Sequence, residues 1–439
     1  MSNQTNPLCP TIDRSDRKRL SFRYRIFGTA LIAAMLVGAQ SCEDDQDLHS
    51  CSDCEDCTIR PNMTQSEIQE RLINPKCSAV WFEAGTFNLT STLTVDDREN
   101  FKVVGKGKGQ TILSFAGQSG GGDGLLVTNA VNFTIEGLTV QDAKGDAIKV
   151  KDSYLVTFRN VEAVWTAERS SANGGYGIYP VLCTGVLIEG CYARGASDAG
   201  IYVGQSTDAI IRNSKAEGNV IGIEVENTIN ADVHNNEMQD NAAGMMVLDL
   251  PGLTQYGQKT RVFNNLIVEN NGDNFAVPGG FAAVAPAGTG ILLMATRDVE
   301  VFDNTIEGNN VVGLGMISFA SVAALLGIPI PPDPNYDVHC ERIYVHDNEF
   351  SKSGNVNAGP GQTDIGLLLI NNFAGNPIPD VVVDGFFKSG IGENGGLCLK
   401  DNVGAGFVNL DIPGEFANPS FDPTAHICEG KIISPVAPW

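Results

Sequence analysis

The chain has 439 residues, of which 42% are hydrophobic, so that two or three ordinary domains or one elongated repeat domain can bury a sizeable core. A formal net charge of −23 at pH 7 excludes electrostatic binding to nucleic acid and to acidic membrane surfaces. The same charge argues against tight binding of polyanionic sugars, unless metal ions bridge the two partners.

The first 41 residues are predicted to form an export signal. Basic residues at positions 14–25 precede an apolar stretch, residues 26–39, which is too short to span a bilayer and ends in small residues. The sequence Ala39-Gln40-Ser41-Cys42 resembles a bacterial lipoprotein cleavage site, although alanine replaces the commoner leucine, and Cys42 would carry the lipid. Plain secretion and a retained membrane anchor are the alternatives. The signal holds six Lys or Arg and two Asp or Glu, so its removal would leave a net charge of about −27.

This signal determines where we expect the protein to be. It would be exported and would lie in the periplasm or at the outer membrane as a lipoprotein, or be secreted. Its attachment to a membrane would be the lipid anchor only.

A short acidic linker, residues 42–63, contains Cys51, Cys54 and Cys57 with C-x-x-C-x-x-C spacing. Three thiolates at this spacing are compatible with a metal or iron–sulfur site, but the sequence offers no recognisable fourth ligand. Disulfides persist in the compartments to which exported proteins go, so we interpret the run as a disulfide-tied tether rather than as a metal site. Two further candidate disulfides are Cys183–Cys191 and Cys398–Cys428.

The sequence after the linker predicts a capping helix and then short strands. Thr64-Gln-Ser-Glu67 has the pattern of a capping box and should begin a helix that ends at about Ile73. The alternating segments at residues 80–87 and 92–95 read as the first strands. A short amphipathic helix at this position would close the open end of a stack of repeats.

The most informative feature is a tetrapeptide of the form small–apolar–x–apolar that recurs ten times. Successive copies are 23, 30, 23, 22, 22, 46, 23, 53 and 30 residues apart, which indicates a coil of 22 to 23 residues interrupted by loop insertions at residues 248–259, 272–289 and 317–337. The copies begin at Gly124, Ala147, Gly177, Gly200, Gly222, Gly244, Gly290, Gly313, Gly366 and Gly396.

A second series of glycine and asparagine residues recurs along the chain in step with the tetrapeptides. Glycine and asparagine tolerate left-handed corners, and stacked asparagines can hydrogen-bond from coil to coil. We therefore predict an all-β, single-stranded solenoid, a parallel β-helix, over residues 64–401, with a C-terminal cap or tail at residues 402–439. The members of the second series are Gly137, Asn160, Gly190, Asn213, Asn236, Asn265, Asn304 and Asn348.

The motifs carry a resemblance to a known group of proteins. The segment Phe82-Glu-Ala-Gly-Thr-Phe87, the run Gly105-Lys-Gly-Lys-Gly-Gln-Thr-Ile-Leu113 and the G-I-x-V coils resemble the pectin-lyase-like superfamily of right-handed parallel β-helices, over about residues 79–430. The chain is similar in particular to exported bacterial β-helix-repeat proteins of unknown function. The resemblance implies a right-handed helix and, as a partner, an exported cytochrome-like haem protein. It does not imply an activity, because this fold hosts lyases, hydrolases, epimerases and proteins without catalysis.

The tetrapeptide also predicts which side chains face solvent. Its second and fourth residues should face the core, so its third residue should face outward, with about 5 Å between neighbouring coils. Four consecutive coils then present Lys149, Tyr179, Tyr202 and Glu224 in a line. The column turns apolar from Met246 onward, so we expect the three insertions to cover that part and to wall one end of a groove. Polar flanking residues are Asp123, Asp146, Lys151, Tyr176, Asp198, Gln205 and Glu226.

Two functions of different classes fit this predicted stripe. The first is binding of a glycan or of a partner protein, for which the binding residues would be Asp146, Lys149, Tyr176, Tyr179, Asp198, Tyr202, Glu224 and Glu226. The second is catalysis by a polysaccharide lyase or C5-epimerase in the same groove.

In such an enzyme, Tyr179 or Tyr202 would remove the proton next to the substrate carboxyl. Lys149, or Ca²⁺ held by Asp146 and Asp198, would neutralise that carboxyl.

Hydrolysis would instead require two carboxylates, and the available pairs are Glu224 with Asp198 or with Glu226. The sequence lacks the paired-aspartate and Gly-His-Gly motifs of polygalacturonases and the Asp-Pro-His-Asp motif of alginate epimerases. It also has no arginine in the outward column. These absences weigh against catalysis.

Other conspicuous side chains have structural interpretations. His234 and His346 each stand two residues before an asparagine of the second series, where other coils carry Ile or Phe, so we predict that they occupy core positions. Trp165 either edges the groove or packs beneath the loop that follows it.

Overall fold

The computed structural model describes residues 54–351, 361–373, 376–392, 395–437 and 439. The predicted signal peptide, Cys42 and Cys51 lie outside these residues. Within the described part of the chain, no helix combines the length and the apolar character needed to cross a membrane.

The described strands form three parallel sheets, which we call sheets A, B and C. From Ala79 to Val383 each turn of the chain adds one strand to sheet A, then one to sheet B and then one to sheet C. Every strand therefore pairs with its counterparts in the preceding and following turns. This is the predicted parallel β-helix.

Sheet A has 12 strands: Thr58–Ile59, Ala79–Phe82, Glu99–Val104, Val131–Glu136, Tyr154–Arg159, Thr184–Glu189, Thr207–Arg212, Ile229–His234, Gln258–Phe263, Arg297–Phe302, Glu341–His346 and Leu397–Lys400. Sheet B has 10 strands: Gly85–Asn88, Thr111–Ser114, Thr139–Gln141, Glu162–Val164, Tyr192–Arg194, Lys215–Glu217, Glu237–Gln239, Leu266–Val268, Thr305–Glu307 and Glu349–Ser351. Sheet C has 11 strands: Ser91–Asp96, Gly120–Thr128, Ile148–Lys151, Ile178–Val181, Ala199–Gly204, Ile221–Glu226, Ala243–Leu248, Thr289–Met294, Val312–Ile317, Val381–Val383 and Phe407–Asn409.

The described residues also form three α-helices: α1 (Gln65–Ile73), α2 (Phe319–Leu326) and α3 (Asp364–Asn372). Short 3₁₀ turns occur at Cys54–Cys57, Phe281–Val284, Ile412–Gly414 and Thr424–His426. The capping-box prediction for α1 is confirmed, because the Thr64 side chain accepts from the Glu67 backbone N–H while the Glu67 side chain accepts from the Thr64 backbone N–H. Ile68 and Leu72 of α1 are buried at the first coils of the stack, as expected of a cap.

The first eight tetrapeptides lie in sheet C in the predicted register. For example, Lys149 pairs with Tyr179, and Glu224 pairs with Met246. Their second and fourth residues, such as Ile223 and Val225, belong to the main hydrophobic core. The third residue of each tetrapeptide therefore points away from that core.

The last two tetrapeptides do not lie in sheet C, and this part of the prediction is wrong. Residues 366–369 belong to α3, where the Thr363 side chain caps the helix by accepting from the Gly366 backbone N–H. Residues 396–399 lead into the sheet A strand Leu397–Lys400. A short apolar run fits a helix or either face of a strand, so its composition alone does not identify its place.

The predicted asparagine ladder forms in the second half of the stack. Asn236, Asn265, Asn304 and Asn348 donate from Nδ2 to Oδ1 of the next asparagine at 2.9–3.1 Å, and the last acceptor is Asn402. The earlier members of the series do not join this ladder. Asn160 and Asn213 occupy left-handed corners with φ of 50° and 52°.

The prediction that the two histidines face the core is wrong by one residue. His234 pairs with Arg212, and its neighbour Val233 is the one that enters the core. A shift of one residue turns a side chain to the other face of a strand. On the outer face of sheet A the rings of His234, Phe263, Phe302 and His346 stack with centroid separations of 4.7, 4.9 and 5.2 Å.

The C-terminal tail lies across this outer face of sheet A. The backbone N–H of Ile433 donates to Glu300, and that of Val436 donates to Asp232. The predicted disulfide Cys398–Cys428 is present and joins the tail to the last strand of sheet A.

The other cysteine predictions have different outcomes. Cys57 is bonded to Cys77, so it supplies no free thiolate to a metal, and the weak metal interpretation fails for this residue. Cys183 and Cys191 are buried free thiols rather than a disulfide. They flank the strand Thr184–Glu189 at its opposite ends, which separates them far beyond bonding distance.

Candidate functional site

The outward face of sheet C divides into a half-exposed part and a covered part. In the covered part, Met246 belongs to a hydrophobic cluster with Phe319 and Val322 of α2, and Phe281 of the second insertion and Tyr336 of the third pack against this cluster. This covering was expected for the apolar end of the column.

The covering extends further along the column than the sequence predicts. Tyr202 and Glu224 are each only 3% exposed, and Glu226 is 8% exposed, so these three residues are not the solvent-facing groups that we predicted. They point away from the core, but the insertions enclose them. Lys149, Tyr176, Tyr179, Asp146 and Asp198 remain partly exposed.

Three predicted site residues form a compact group, the tyrosine cluster, defined as Tyr176, Tyr179 and Tyr202. Their ring centroids are 4.5 Å apart for Tyr176 and Tyr179, 4.7 Å for Tyr176 and Tyr202, and 4.8 Å for Tyr179 and Tyr202. The strands of consecutive coils bring Tyr179 and Tyr202 together, and the loop before Ile178 supplies Tyr176. Tyr202 forms the buried end of the cluster, and the other two rings form its accessible end.

An ion pair borders the accessible end of the tyrosine cluster. Lys149 Nζ lies 3.0 Å from Asp146 Oδ2 and 4.5 Å from the centroid of the Tyr179 ring. Asp146 Oδ1 also accepts a hydrogen bond from the Tyr176 backbone N–H at 3.3 Å. The side chains of Lys149 and Asp146 are 25% and 13% exposed, which leaves both within reach of a ligand.

Three carboxyl groups surround the buried end of the cluster. Glu226 Oε1 accepts from the Tyr202 hydroxyl at 2.9 Å, and the side chain of Tyr176 interacts with the Asp198 carboxyl and partly offsets the rise of its pKa on burial. Glu224 differs from both, because no described residue donates a hydrogen bond to its buried Oε2. A buried carboxylate oxygen without a partner is costly, whereas a neutral carboxyl is less so.

Burial raises the pKa of each of these carboxyls. Desolvation is the main cause for Asp198, Glu224 and Glu226, and the negative charge of neighbouring carboxyls adds to it. The pKa of Glu224, which is buried, is raised well above its ordinary value. These groups therefore retain protons at higher pH than ordinary surface carboxyls do.

Burial also raises the pKa of all three tyrosines, and the nearby carboxylates add to the effect. A phenol whose pKa is raised stays protonated at neutral pH and donates hydrogen bonds. This opposes the predicted role of Tyr179 or Tyr202 as the base that removes a proton from a substrate.

The predicted calcium ligands do not fit a calcium site. Both oxygens of Asp146 are engaged, one by Lys149 and the other by the Tyr176 backbone. Among the described residues, no group of three or more His, Cys, Asp or Glu is arranged to hold a metal ion.

Sequence reasoning missed Asp249 and Arg297 beneath the first insertion. Both oxygens of Asp249 accept from the Gly257 backbone N–H, at 2.8 and 2.9 Å, and burial raises the pKa of Asp249 to about 7. Arg297 Nε is buried, and no described residue accepts a hydrogen bond from it. The available signal was an acidic residue directly after the strand Ala243–Leu248, at the start of an insertion.

Comparison with known families now settles the handedness of the fold. The family model described as the right handed beta helix region matches residues 123–322, which include the whole candidate site. The chain is a right-handed parallel β-helix. The sequence matches no protein among the curated proteins.

Solved structures with detectable similarity to the chain have low sequence identity to it. The A-module of the Azotobacter vinelandii mannuronan C-5 epimerase AlgE4 is 17% identical, with 77% of this chain and 90% of that chain covered and a TM-score of 0.49. A mutant tailspike protein of E. coli bacteriophage HK620, in complex with pentasaccharide, is 14% identical over 74% of this chain and 56% of that chain, with a TM-score of 0.45. The catalytic domain of a GH87 alpha-1,3-glucanase, in complex with nigerose, is 12% identical over 75% of this chain and 69% of that chain, with a TM-score of 0.33.

Proposed function

We propose that the protein binds a carbohydrate chain at the accessible end of the tyrosine cluster. The observation that carries this proposal is the pair of half-buried rings, Tyr176 and Tyr179, whose centroids are 4.5 Å apart and which an ion pair of Lys149 and Asp146 borders. Such rings offer a rigid apolar surface to the face of a sugar. The charged pair and the partly exposed Asp198 offer donors and acceptors to its hydroxyl groups.

The charge of the site favours neutral or basic glycans. Asp146 already neutralises Lys149, and the chain as a whole has a net charge of −23. A polyuronate would bring further negative charge next to Asp146 and Asp198, which is unfavourable at low ionic strength.

Retention of the protein on a panel of immobilised neutral, amino and acidic polysaccharides tests this proposal. We expect retention on one or more neutral or basic glycans, and loss of at least about tenfold in affinity in the Tyr179→Ala variant. Tyr154→Ala is the matched control, because Tyr154 is 49% exposed on sheet A and lies outside the cluster. Equal affinity of wild type and Tyr179→Ala for every retained glycan would refute the proposal.

A polysaccharide lyase or C5-epimerase is the second candidate. The group of buried carboxyls with raised pKa favours it, because perturbed carboxyls of this kind are common at catalytic sites. In this enzyme Glu226 or Asp198 would accept the proton, and a neutral tyrosine would donate one.

Incubation with polyuronates, with and without Ca²⁺, tests the second candidate. The formation of unsaturated product absorbance, or of an inverted C5 centre by proton NMR, would support it. Loss of that activity in Glu226→Gln, together with unchanged thermal stability, would assign the carboxyl. No product from any polyuronate would exclude this candidate and leave the binding proposal untouched.

Export, lipid attachment at Cys42 and association with a haem protein are further parts of our proposal, and they rest on the sequence alone. Metabolic labelling with palmitate, compared between wild type and Cys42→Ala, tests the lipid anchor. Co-purification from the native host, with the Soret absorbance of the eluate as the readout, tests the haem-protein partner. Eluates without haem absorbance would count against that partner.

A further inference from the structure

The tyrosine cluster is surrounded by more acidic groups than basic ones. Lys149 pairs with Asp146. Within the described part of the chain, no lysine, arginine or histidine forms an ion pair with the three other carboxyls of the site, which are Asp198, Glu224 and Glu226. The site therefore holds three acidic groups that the chain itself does not balance with a cation.

Glu224 supplies a buried acceptor that the chain leaves unused. The residue is only 3% exposed, and no described residue donates a hydrogen bond to its Oε2. Glu224 follows Tyr202 in the outward column of sheet C, so its side chain points to the side on which the tyrosine cluster lies. A buried carboxylate oxygen without a donor is costly, so this arrangement favours a ligand that brings positive charge and hydrogen-bond donors to the cluster.

The charges of the unbalanced carboxyls act together at the Tyr176 side chain. Burial raises the pKa of Tyr176, and the charges of Glu224, Asp198 and Glu226 raise it further. Negative charge that opposes the ionisation of a phenol stabilises a cation at the same place. An ammonium group beside a tyrosine ring also gains a cation–π attraction.

A gap over Gly175 lies between two of the carboxyls. Gly175 is partly exposed, and a Cβ built on it would lie 3.5 Å from Asp146 Oδ1 and 4.0 Å from Asp198 Cβ. These are ordinary contact distances, and the φ of Gly175 lies outside the left-handed region, so neither packing nor the backbone requires glycine here. The missing side chain leaves room for a ligand group that approaches both carboxyls.

We propose that the glycan bound at the tyrosine cluster is an amino sugar chain, whose unacetylated amine binds as an ammonium group between Asp146 and Asp198. This inference rests on the proposed carbohydrate binding and names the class of sugar. The ammonium donates to the Asp198 carboxylate and to Asp146 Oδ1, which has a second lone pair besides the one that the Tyr176 backbone N–H uses. Glu224 and Glu226 lie behind the rings and stabilise the positive charge without touching it.

Calorimetric titration with two matched oligosaccharides tests the inference. One is a β-1,4-linked glucosamine pentamer, and the other is its fully N-acetylated form, which has the same backbone but no charge. We expect wild type to bind the glucosamine pentamer at least about tenfold more tightly than the acetylated one. Asp198→Asn should remove most of this preference and change the affinity for the acetylated pentamer little. Glu349→Gln is the matched control, because it removes one negative charge at an exposed position of sheet B, and it should retain the preference.

Gly175→Ala tests the location of the ammonium group. This variant keeps every charge of the site but fills the gap between the two carboxyls, so it should weaken binding of the glucosamine pentamer at least about fivefold. Gly117→Ala is its matched control, because Gly117 is exposed and a Cβ built on it would have no neighbour within 4 Å.

The inference and the proposed function fail in different ways. Equal or tighter binding of the acetylated pentamer overturns the inference and leaves the carbohydrate proposal standing. Binding of some other neutral glycan, when neither pentamer binds, has the same meaning. A preference for the glucosamine pentamer that persists in Asp198→Asn, folded as judged by its melting curve, also overturns the inference. No binding of either pentamer or of any polysaccharide in the panel overturns both.

Discussion

Replacing Asp249 by asparagine should remove the part of the pH dependence of stability that this one carboxyl contributes. Burial raises the pKa of Asp249 in the folded protein to about 7, from an ordinary value of 3.8. Between these two values the folded chain holds a proton that the unfolded chain has released. The free energy of unfolding therefore decreases as the pH rises toward and through 7.

The magnitude follows from the two pKa values. At 1.36 kcal/mol for each pH unit, ionisation of this one carboxyl lowers the free energy of unfolding by about 2–3 kcal/mol between pH 5 and pH 8. Asparagine keeps an oxygen that can accept from the Gly257 backbone N–H but does not ionise. The variant should therefore lose about that much of the pH dependence of wild type.

Urea denaturation at pH 5, 6, 7 and 8, followed by tryptophan fluorescence, measures this difference. Glu349→Gln, at an exposed glutamate of sheet B, is the control and should retain the profile of wild type. An Asp249→Asn profile that parallels wild type would refute the reasoning. It would mean that the first insertion does not enclose Asp249 in solution.

Three further predictions test other parts of the structure. Asn304→Ala leaves the backbone N–H and the side-chain amide of Asn265 without their acceptor, so it should reduce stability by about 2–4 kcal/mol in the same urea assay. Tyr202→Phe removes the hydrogen bond that lowers the pKa of Glu226, so the Glu226 titration, followed by carboxyl carbon NMR, should move to higher pH. Cys428→Ser opens a disulfide that closes a 30-residue loop, and it should reduce stability by about 3–4 kcal/mol and expose the tail to proteolysis. Unchanged urea midpoints, an unchanged titration or an unchanged rate of tail cleavage would contradict the respective prediction.

The architecture could be predicted from the sequence because the same pattern of apolar and small residues recurs in every coil. Each copy of the tetrapeptide places two apolar residues in the core, and the spacing of 22 to 23 residues leaves room for three short strands and three corners. Where the spacing is irregular, local composition was not enough. Residues 366–369 have the same composition as a tetrapeptide of sheet C, but they follow Thr363, which caps a helix.

Errors of a single residue had large consequences for which face a side chain occupies. His234 stands two residues before Asn236, and the early asparagines of the series stand one position earlier in their coils than Asn236 does. The prediction aligned Asn236 with the earlier asparagines of the series. It therefore assigned both histidines to the core face of sheet A instead of its outer face.

The residues of the candidate site could be predicted, but their exposure could not. The tetrapeptide places Tyr202 and Glu224 outside the core, and the structure agrees. Their burial depends on how the second and third insertions, far away in sequence, fold back over sheet C. The period of a repeat contains no information about the path of such loops. Part of the predicted open stripe is therefore only partly exposed, and the rest is an enclosed cluster of acidic residues.

Hydroxyl-radical footprinting of the tyrosines, with and without a retained glycan, tests the central claim most directly. We predict that the glycan protects Tyr176 and Tyr179, that the buried Tyr202 reacts little in either state, and that the exposed Tyr154 on sheet A reacts equally in both. Unchanged reactivity of Tyr176 and Tyr179 in the presence of a bound glycan would contradict the assignment of this face as the binding site.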